Sequence, residues 1–230
     1  MLESSKTKGV RGANFAETYF SGSVLDIGCG EDLVVPHATP FDQIHGDANH
    51  ILKYLEHESF DTVHSSHCLE HMIDPIKALQ DWWQLVKPGG YMITVVPHED
   101  LYEQGQWPSR FNDDHKATFR FKTPKSSWSP CSYDAFKIHY QLDNSKIISA
   151  DLHDLNYKYE LQKLGQESET QQLLRNHLAK LFMRLNENGM LSSLGLLDEL
   201  NFTFSQMGAV VDQTMGSAMA QVQIIAQKRS

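Results

Sequence analysis

The amino-acid sequence predicts an α/β fold with a mostly parallel sheet and helices on both of its faces. Two observations predict it. Short apolar runs with β-branched members alternate with stretches of helical period, and the order strand, helix, strand over Phe60–Val96 is a βαβ unit, which calls for parallel neighbours. With 230 residues, 40% of them hydrophobic, the chain can build a proper core, so one domain with an insertion is the economical reading.

The elements follow in order. SVLDI (23–27) is a buried strand closed at once by Gly28-Cys29-Gly30, a tight turn. FDTVHSS (60–66) is a second strand. From Asp74 to Val86, Ile76, Leu79, Trp83 and Val86 recur at helical spacing, with Asp74 as N-cap and Pro75 at the first helical position; Trp83 faces the core. Lys87-Pro88-Gly89-Gly90 ends that helix in a turn, and YMITVV (91–96) returns as a buried strand. Residues 98–131 have no period and read as a long loop opening after this strand. A helix over Tyr133–Leu142 with Ser132 as cap and a strand at KIISA (146–150) come next. Leu173, Leu174, Leu178, Leu181, Phe182 and Leu185 form an amphipathic stripe from Glu167 to Asn188, ended by Gly189, and the leucine-rich Met190–Leu200 is helical too. Residues 160–205 are therefore a helical insertion before the last strand. AMAQVQIIAQ (218–227) closes the chain as a strand, expected antiparallel, with Gln221 and Gln223 making one face polar.

Composition excludes several classes of function. A formal charge of -9 and a pI near 5.7 argue against a nucleic-acid partner, since phosphate affinity rests on clustered Lys and Arg. No stretch approaches a membrane span, and the N-terminus lacks the apolar segment of a signal peptide, so a cytoplasmic protein is expected. Cys29, Cys68 and Cys131 are odd in number and widely spaced, as reduced thiols are. The twelve histidines are scattered, without HxH or HExxH spacing, and read mostly as surface or capping residues. No metal is expected; the one conceivable set is Asp113, Asp114 and His115.

The chemistry is carried by the turn after the first strand. A glycine pair there lets backbone approach a bound cofactor, because no Cβ stands in the way. The third glycine of a dinucleotide fingerprint is replaced by Leu33, and no GK[ST] follows. Asp26 at the strand end disfavours a phosphate and favours an ammonium or sulfonium group. VLDIGCG (24–30) and the region from FDTVHSSHCLEHMIDPIKAL to QLVKPGGYMITVVP (60–97), with the intervening GDAN, resemble the class I, Rossmann-like, S-adenosylmethionine-dependent methyltransferases in order and spacing.

The resemblance implies roles for individual positions. Asp26, Gly28, Cys29 and Gly30 would contact the methionine part of S-adenosylmethionine, largely through backbone. Asp42 would take the ribose hydroxyls, Asp47 and Ala48 would face the adenine, and Ser66 and His67 would line the cofactor near its sulfur. Glu70 and His71 would cap or buttress the site. The chain departs from the family pattern in one place: only 11 residues separate Gly30 from Asp42 and four separate Asp42 from Asp47, too few for crossover helices. The first helix is therefore cut to a turn, the second and third strands are reduced, and Asp47 competes with Asp42 for the ribose.

The loop over 98–131 lies beyond the carboxyl ends of the strands, where ligands of open α/β sheets bind. Tyr102, Trp107, Phe111 and Phe119 could form apolar walls for a substrate. His98, Glu99, Asp100, Asp113, Asp114 and His115 supply bases and hydrogen-bond partners. His115, oriented by Asp113 or Asp114, is the first candidate for the general base and His98 the second. The reading is methyl transfer to an oxygen or nitrogen of a small metabolite such as a saccharide, with the 160–205 insertion as a substrate cover or a homodimer interface. The alternative is a non-catalytic module that binds S-adenosylmethionine; a nicotinamide-dependent oxidoreductase ranks third.

Overall fold

The computed structural model describes residues 3–122, 126–185 and 195–230. Six strands form one sheet in the order β2-β1-β3-β4-β8-β7, from β1 (Val24–Ile27), β2 (Thr39–Phe41), β3 (Phe60–Ser66), β4 (Val86–Pro97), β7 (Ser145–His153) and β8 (Gln221–Lys228). The first four are parallel, and β8 runs antiparallel between β4 and β7. A separate parallel pair joins β5 (Thr118–Arg120) to β6 (Ser132–Asp134). The expected mostly parallel sheet with an antiparallel last strand is present.

Both faces of the sheet are covered. On one, Leu25, Ile27, Val63, Met92, Val222 and Ile224 pack with Leu79, Trp82 and Trp83 of α3 (Pro75–Gln84) and Ile138 of α4 (Ala135–Tyr140). On the other, Val24, Ile93 and Ile225 meet Phe20, with Phe15 and Tyr19 of α2 (Phe15–Tyr19) packed alongside. Asp74 caps α3 by accepting from Lys77 N at 3.0 Å. Trp82 is fully buried and donates from Nε1 to Ala48 O at 2.9 Å, and Trp83 donates to Asp143 O at 2.8 Å. Each indole thus buries its ring without orphaning its N–H. Ile76, read as part of the stripe, is exposed, and Val86 belongs to β4.

Four boundaries differ from the sequence reading, each for a physical reason. Lys87–Gly90 is part of β4 rather than a free turn: the β3 pairing jumps from Phe60↔Val86 to Thr62↔Tyr91, and the glycines absorb this bulge. A Cβ on Gly90 would lie 2.6 Å from Asp61 O. The helix expected from Tyr133 starts at Ala135, capped by Asp134 through Lys137 N at 2.9 Å. Ser132 is drawn instead into β6 and donates to Glu99 Oε2 at 2.6 Å. The polar face of β8 is not a solvent face: Gln221 and Gln223 are buried under the N-terminal segment. Helix α5 (Glu169–Leu185) buries Leu178 and Phe182 but leaves Leu173 and Leu181 exposed. The expected stop at Gly189 and the start of the Met190–Leu200 helix lie outside the described residues; α6 spans Leu196–Gln206. Helices α5 and α6 share a small core of their own, apart from the sheet.

Between Gly30 and Thr39 the chain makes only turns, β2 has three residues, and Asp47 leads into a short 3-10 helix, Ala48–Lys53. The shortening read from the spacing is therefore real, and among the described residues no strand stands outside β2.

Candidate functional site

Strand β1 lies between β2 and β3, so successive connections leave it in opposite directions and the carboxyl ends of the three strands open a crevice. The turn after β1 is shaped by its neighbours. Gly28 has φ +72°, and a Cβ there would lie 2.6 Å from Cys68 Cβ and 2.7 Å from Cys68 Sγ. Gly28 N donates to Phe41 O at 2.8 Å, tying the turn to β2. Gly30 has φ +52° and a Cβ there would meet nothing within 4 Å, so it borders open space.

Two cavities flank this turn and share Gly28 and His67. One, of about 400 Å³, is lined by Phe41, Asp42, Asp47, Ala48, His71 and Asp114 among others. The other, of about 330 Å³, is lined by Glu3, Ser4, Cys29, Gly30, Asp32 and Ser66. Ser66 Oγ is buried and has no hydrogen-bond partner. Burial raises the Cys29 thiol, keeping it neutral. An elongated ligand with a nucleoside at one end and a small zwitterion at the other fits two such compartments joined at a glycine turn. S-adenosylmethionine has that form.

Asp26 does not reach either space. It is fully buried; Oδ1 pairs with His64 Nδ1 at 2.6 Å and Oδ2 accepts from Val34 N at 2.7 Å. Arg11 approaches His64 Nε2 at 3.1 Å and donates from Nε to Gln223 Oε1 at 2.9 Å. Because guanidinium only donates, His64 Nε2 is the acceptor and Nδ1–H points at Asp26, which makes the ring neutral. Burial agrees, lowering the His64 pKa. Asp26 thus anchors the floor of the turn through Val34 N and His64.

The two acidic ribose candidates differ in how free they are. Asp42 directly follows β2; its Oδ2 accepts from Gly30 N at 2.8 Å and its Oδ1 from Gln43 N at 2.6 Å. Asp47 is wrapped by its own helix turn: Oδ1 accepts from Asn49 N and Nδ2, and Oδ2 pairs with His50 Nδ1 at 2.9 Å. Those bonds from Asn49 and His50 hold its carboxyl down at about 2.

Past β3, His67 sits at φ +52°, a left-handed conformation that costs a non-glycine residue energy and turns the chain sharply toward Glu70 and His71. Burial opposes charge on His67. Glu70 Oε1 at 3.5 Å, Glu3 Oε2 at 3.8 Å and Gln221 Oε1 at 3.0 Å outweigh it and hold the imidazole up at about 9. Glu70 is fully buried; burial would raise its pKa, but His67, His115 and His71 together pull it down.

The candidate bases need correction. His115 is not oriented by Asp113 or Asp114: its Nδ1 pairs with Glu103 Oε1 at 2.7 Å, both groups buried. Asp114 serves His71 instead, at 2.9 Å to Nδ1, and Lys116 at 3.0 Å. His98 lines neither cavity; it is buried and its Nδ1 accepts from Asp100 N at 3.2 Å, capping the turn Glu99–Glu103. Phe119 is fully buried in the main core and is no substrate wall, and Glu99 is spent on the hydroxyls of Thr118, Ser127 and Ser132. Tyr102 packs against both Phe111 and His115, with ring centroids 5.7 and 5.3 Å apart. In place of Asp113, Asp114 and His115, the metal-compatible cluster is Glu70, His71 and His115.

Sequence reasoning missed the N-terminal segment. Helix α1 (Glu3–Lys8) lies over the carboxyl end of the sheet: Thr7 is fully buried and accepts from Gln221 Nε2 at 2.8 Å, while Ser5 bonds Asp32. Arg11 stacks over Phe15 and Phe20. The glutamines of β8 were the available signal, since two buried glutamines need partners from elsewhere.

No curated protein matches the chain. Solved structures similar to it include a SAM-dependent methyltransferase from Archaeoglobus fulgidus (18% identity, 99% of this chain and 95% of that one, TM-score 0.46). A possible histamine N-methyltransferase from Thermotoga maritima is also similar (14% identity, 99% and 88%, TM-score 0.46). Residues 12–162, from just before α2 through the glycine turn and β4 to nine residues past the end of β7, match the family described as "Methyltransferase domain". The chain belongs to that family and is an S-adenosylmethionine-dependent methyltransferase.

Proposed function

We propose that the chain transfers a methyl group to an oxygen or nitrogen of a small, neutral or cationic metabolite, a saccharide being the leading class. The observation that carries this is the pair of cavities meeting at Gly28 and His67, with an ionisable cluster at one end. S-adenosylmethionine, when bound, supplies an electrophilic methyl: the acceptor lone pair forms the new bond, the C–S bond breaks and the sulfur keeps its electron pair.

The chain's own residues do the rest. Asp42 holds the ribose hydroxyls, and Asp47 and Ala48 border the adenine. Cys29, Gly30 and Ser66 accommodate the amino-acid end through backbone and small side chains, and Asp26 fixes the turn from below through Val34 N and His64. His67 closes the space between the compartments. The acceptor lies at the His71 and Asp114 end of the larger cavity, and His115, 5.0 Å behind His71 ring to ring, is the first candidate to act on the proton it must lose. His98, buried at the cap of the Glu99–Glu103 turn, is the second candidate. Segment 98–131 forms the acceptor side of a single domain, with Tyr102 and Phe111 as its apolar wall. Helices α5 and α6 of the 160–205 insertion cover it or pair two copies of the chain, and their exposed Leu173, Leu181 and Met183 suit either use.

Turnover across a panel of sugar nucleotides and small hydroxy and amino metabolites tests the reading. One or more should be methylated, and His115→Ala should abolish turnover while S-adenosylmethionine still binds. Undiminished turnover in that variant removes His115 from the mechanism.

A further inference from the structure

Glu70 is fully buried, and neither carboxylate oxygen has a hydrogen-bond partner. Its nearest imidazole nitrogens are His67 Nδ1 at 3.5 Å and His71 Nε2 at 4.0 Å. A carboxylate in the interior needs a facing cation and hydrogen bonds; the His67 imidazole faces it at 3.5 Å, yet no hydrogen bond satisfies either oxygen. Two histidines beside it are arranged alike. His71 directs Nδ1 at Asp114 Oδ2, 2.9 Å away, and His115 directs Nδ1 at Glu103 Oε1, 2.7 Å away. A carboxylate only accepts, so both Nδ1 atoms carry hydrogen, and Nε2 is the atom each ring has left to offer a ligand.

One nitrogen from each ring and one oxygen of Glu70 lie within 4.8 Å of one another. A triangle of that size has its centre within about 2.8 Å of each corner. Movements of less than about 1 Å then bring all three to the roughly 2.0–2.2 Å that nitrogen and carboxylate ligands keep from a metal such as zinc. Carboxylates on the far nitrogens of both imidazoles are the outer contacts that fix the ligating tautomer at metal sites. Glu103 Oε2 is also buried and unpartnered, a third carboxylate oxygen in the cluster without a hydrogen bond.

We propose that Glu70, His71 and His115 bind one divalent transition-metal cation, with Asp114 and Glu103 orienting the two imidazoles. Three protein ligands leave coordination positions open, and His71 and Asp114 reach the larger cavity. The open positions face the place where the acceptor lies, a role that rests on the methyltransferase reading. They select an acceptor offering an oxygen, such as a hydroxyl; the cation lowers the pKa of that hydroxyl, its proton leaves to solvent through the larger cavity, and the oxygen lone pair then takes the methyl, with His71 and His115 acting as ligands.

The test is metal binding read without turnover. Protein stripped with a chelator is titrated with cobalt(II), followed by visible absorption and calorimetry, and S-adenosylmethionine affinity is measured on the same samples. One cobalt per chain is expected. Glu70→Gln and His115→Gln should each weaken it at least about 100-fold, and Asp114→Asn about 10-fold, with S-adenosylmethionine affinity within about threefold of the parent as the check on folding. Protein that binds S-adenosylmethionine but takes up no cobalt overturns the metal site and leaves the methyltransferase reading standing, as does equal uptake by the parent and the three variants. Cobalt uptake that depends on these residues, in protein that does not bind S-adenosylmethionine, supports the metal site and overturns its assigned role.

Discussion

Alanine at Gly28 and at Gly30 should do different things, although the two glycines are two residues apart in one turn. Both have positive φ, +72° and +52°, and holding a side chain there costs about 1–2 kcal/mol. At Gly28 the new methyl also lands 2.6–2.7 Å from the buried Cys68 side chain, an overpacking that costs about 1–3 kcal/mol more. At Gly30 it lands in open space. Gly28→Ala should therefore lose about 2–5 kcal/mol of stability and Gly30→Ala only about 1–2 kcal/mol. For a chain of this size these are falls in Tm of roughly 4–20 °C and 2–8 °C. Binding should show the reverse emphasis, because the Gly30 methyl occupies space assigned to the cofactor: Gly30→Ala should weaken S-adenosylmethionine at least about tenfold, or about 1.4 kcal/mol. Thermal unfolding by circular dichroism and calorimetric titration read the two quantities separately. A Gly30→Ala protein that binds S-adenosylmethionine as the parent does, or a Gly28→Ala protein no less stable than it, would refute the reasoning.

Three further outcomes concern ionisable side chains. Asp42→Ala should weaken S-adenosylmethionine by about 2–4 kcal/mol, the loss of two charge-assisted hydrogen bonds, and Asp47→Ala by less; calorimetry giving the opposite order would move the ribose to Asp47. Asp26→Ala leaves His64 Nδ1–H and Val34 N–H buried without an acceptor and should cost about 2–6 kcal/mol in urea unfolding; a loss under about 1 kcal/mol would mean the pair does not brace the turn. His139, buried with Nδ1 donating to Ala135 O, is held down at about 4 by burial, against 6.5 in the unfolded chain. Its contribution is intact above pH 6.5 and is lost as pH falls toward 4, when the unfolded chain takes a proton the folded ring refuses, to a total of about 3 kcal/mol. Urea midpoints at pH 7 and pH 5 should show that slope, and His139→Leu should flatten it.

The sheet was legible in the sequence because buried parallel strands are written as apolar runs and their connections as punctuation. Val24–Ile27, Phe60–Ser66 and the cap at Asp74 needed only local chemistry, and the missing crossover helices followed from counting residues between Gly30 and Asp47. What stayed hidden depends on contacts across the chain. Lys87–Gly90 looks like a turn until Asp61 approaches Gly90, and Ser132 looks like a cap until Glu99 claims its hydroxyl. The pairings of His115 with Glu103 and of Asp114 with His71 span 12 and 43 residues, so neighbouring residues in the text suggested the wrong partners. The His67–His71 segment resembled the family but gave no hint that His115 would fold against it.

The central claim is that the glycine turn after β1 divides one cofactor site into a nucleoside half and an amino-acid half. Calorimetric titration of the chain with S-adenosylmethionine, with NAD as the control, tests it most directly. One S-adenosylmethionine per chain should bind, with affinity lowered by Gly30→Ala on one side of the turn and by Asp42→Ala on the other, and NAD should not bind. Binding of NAD without S-adenosylmethionine, or S-adenosylmethionine binding indifferent to both substitutions, would contradict it.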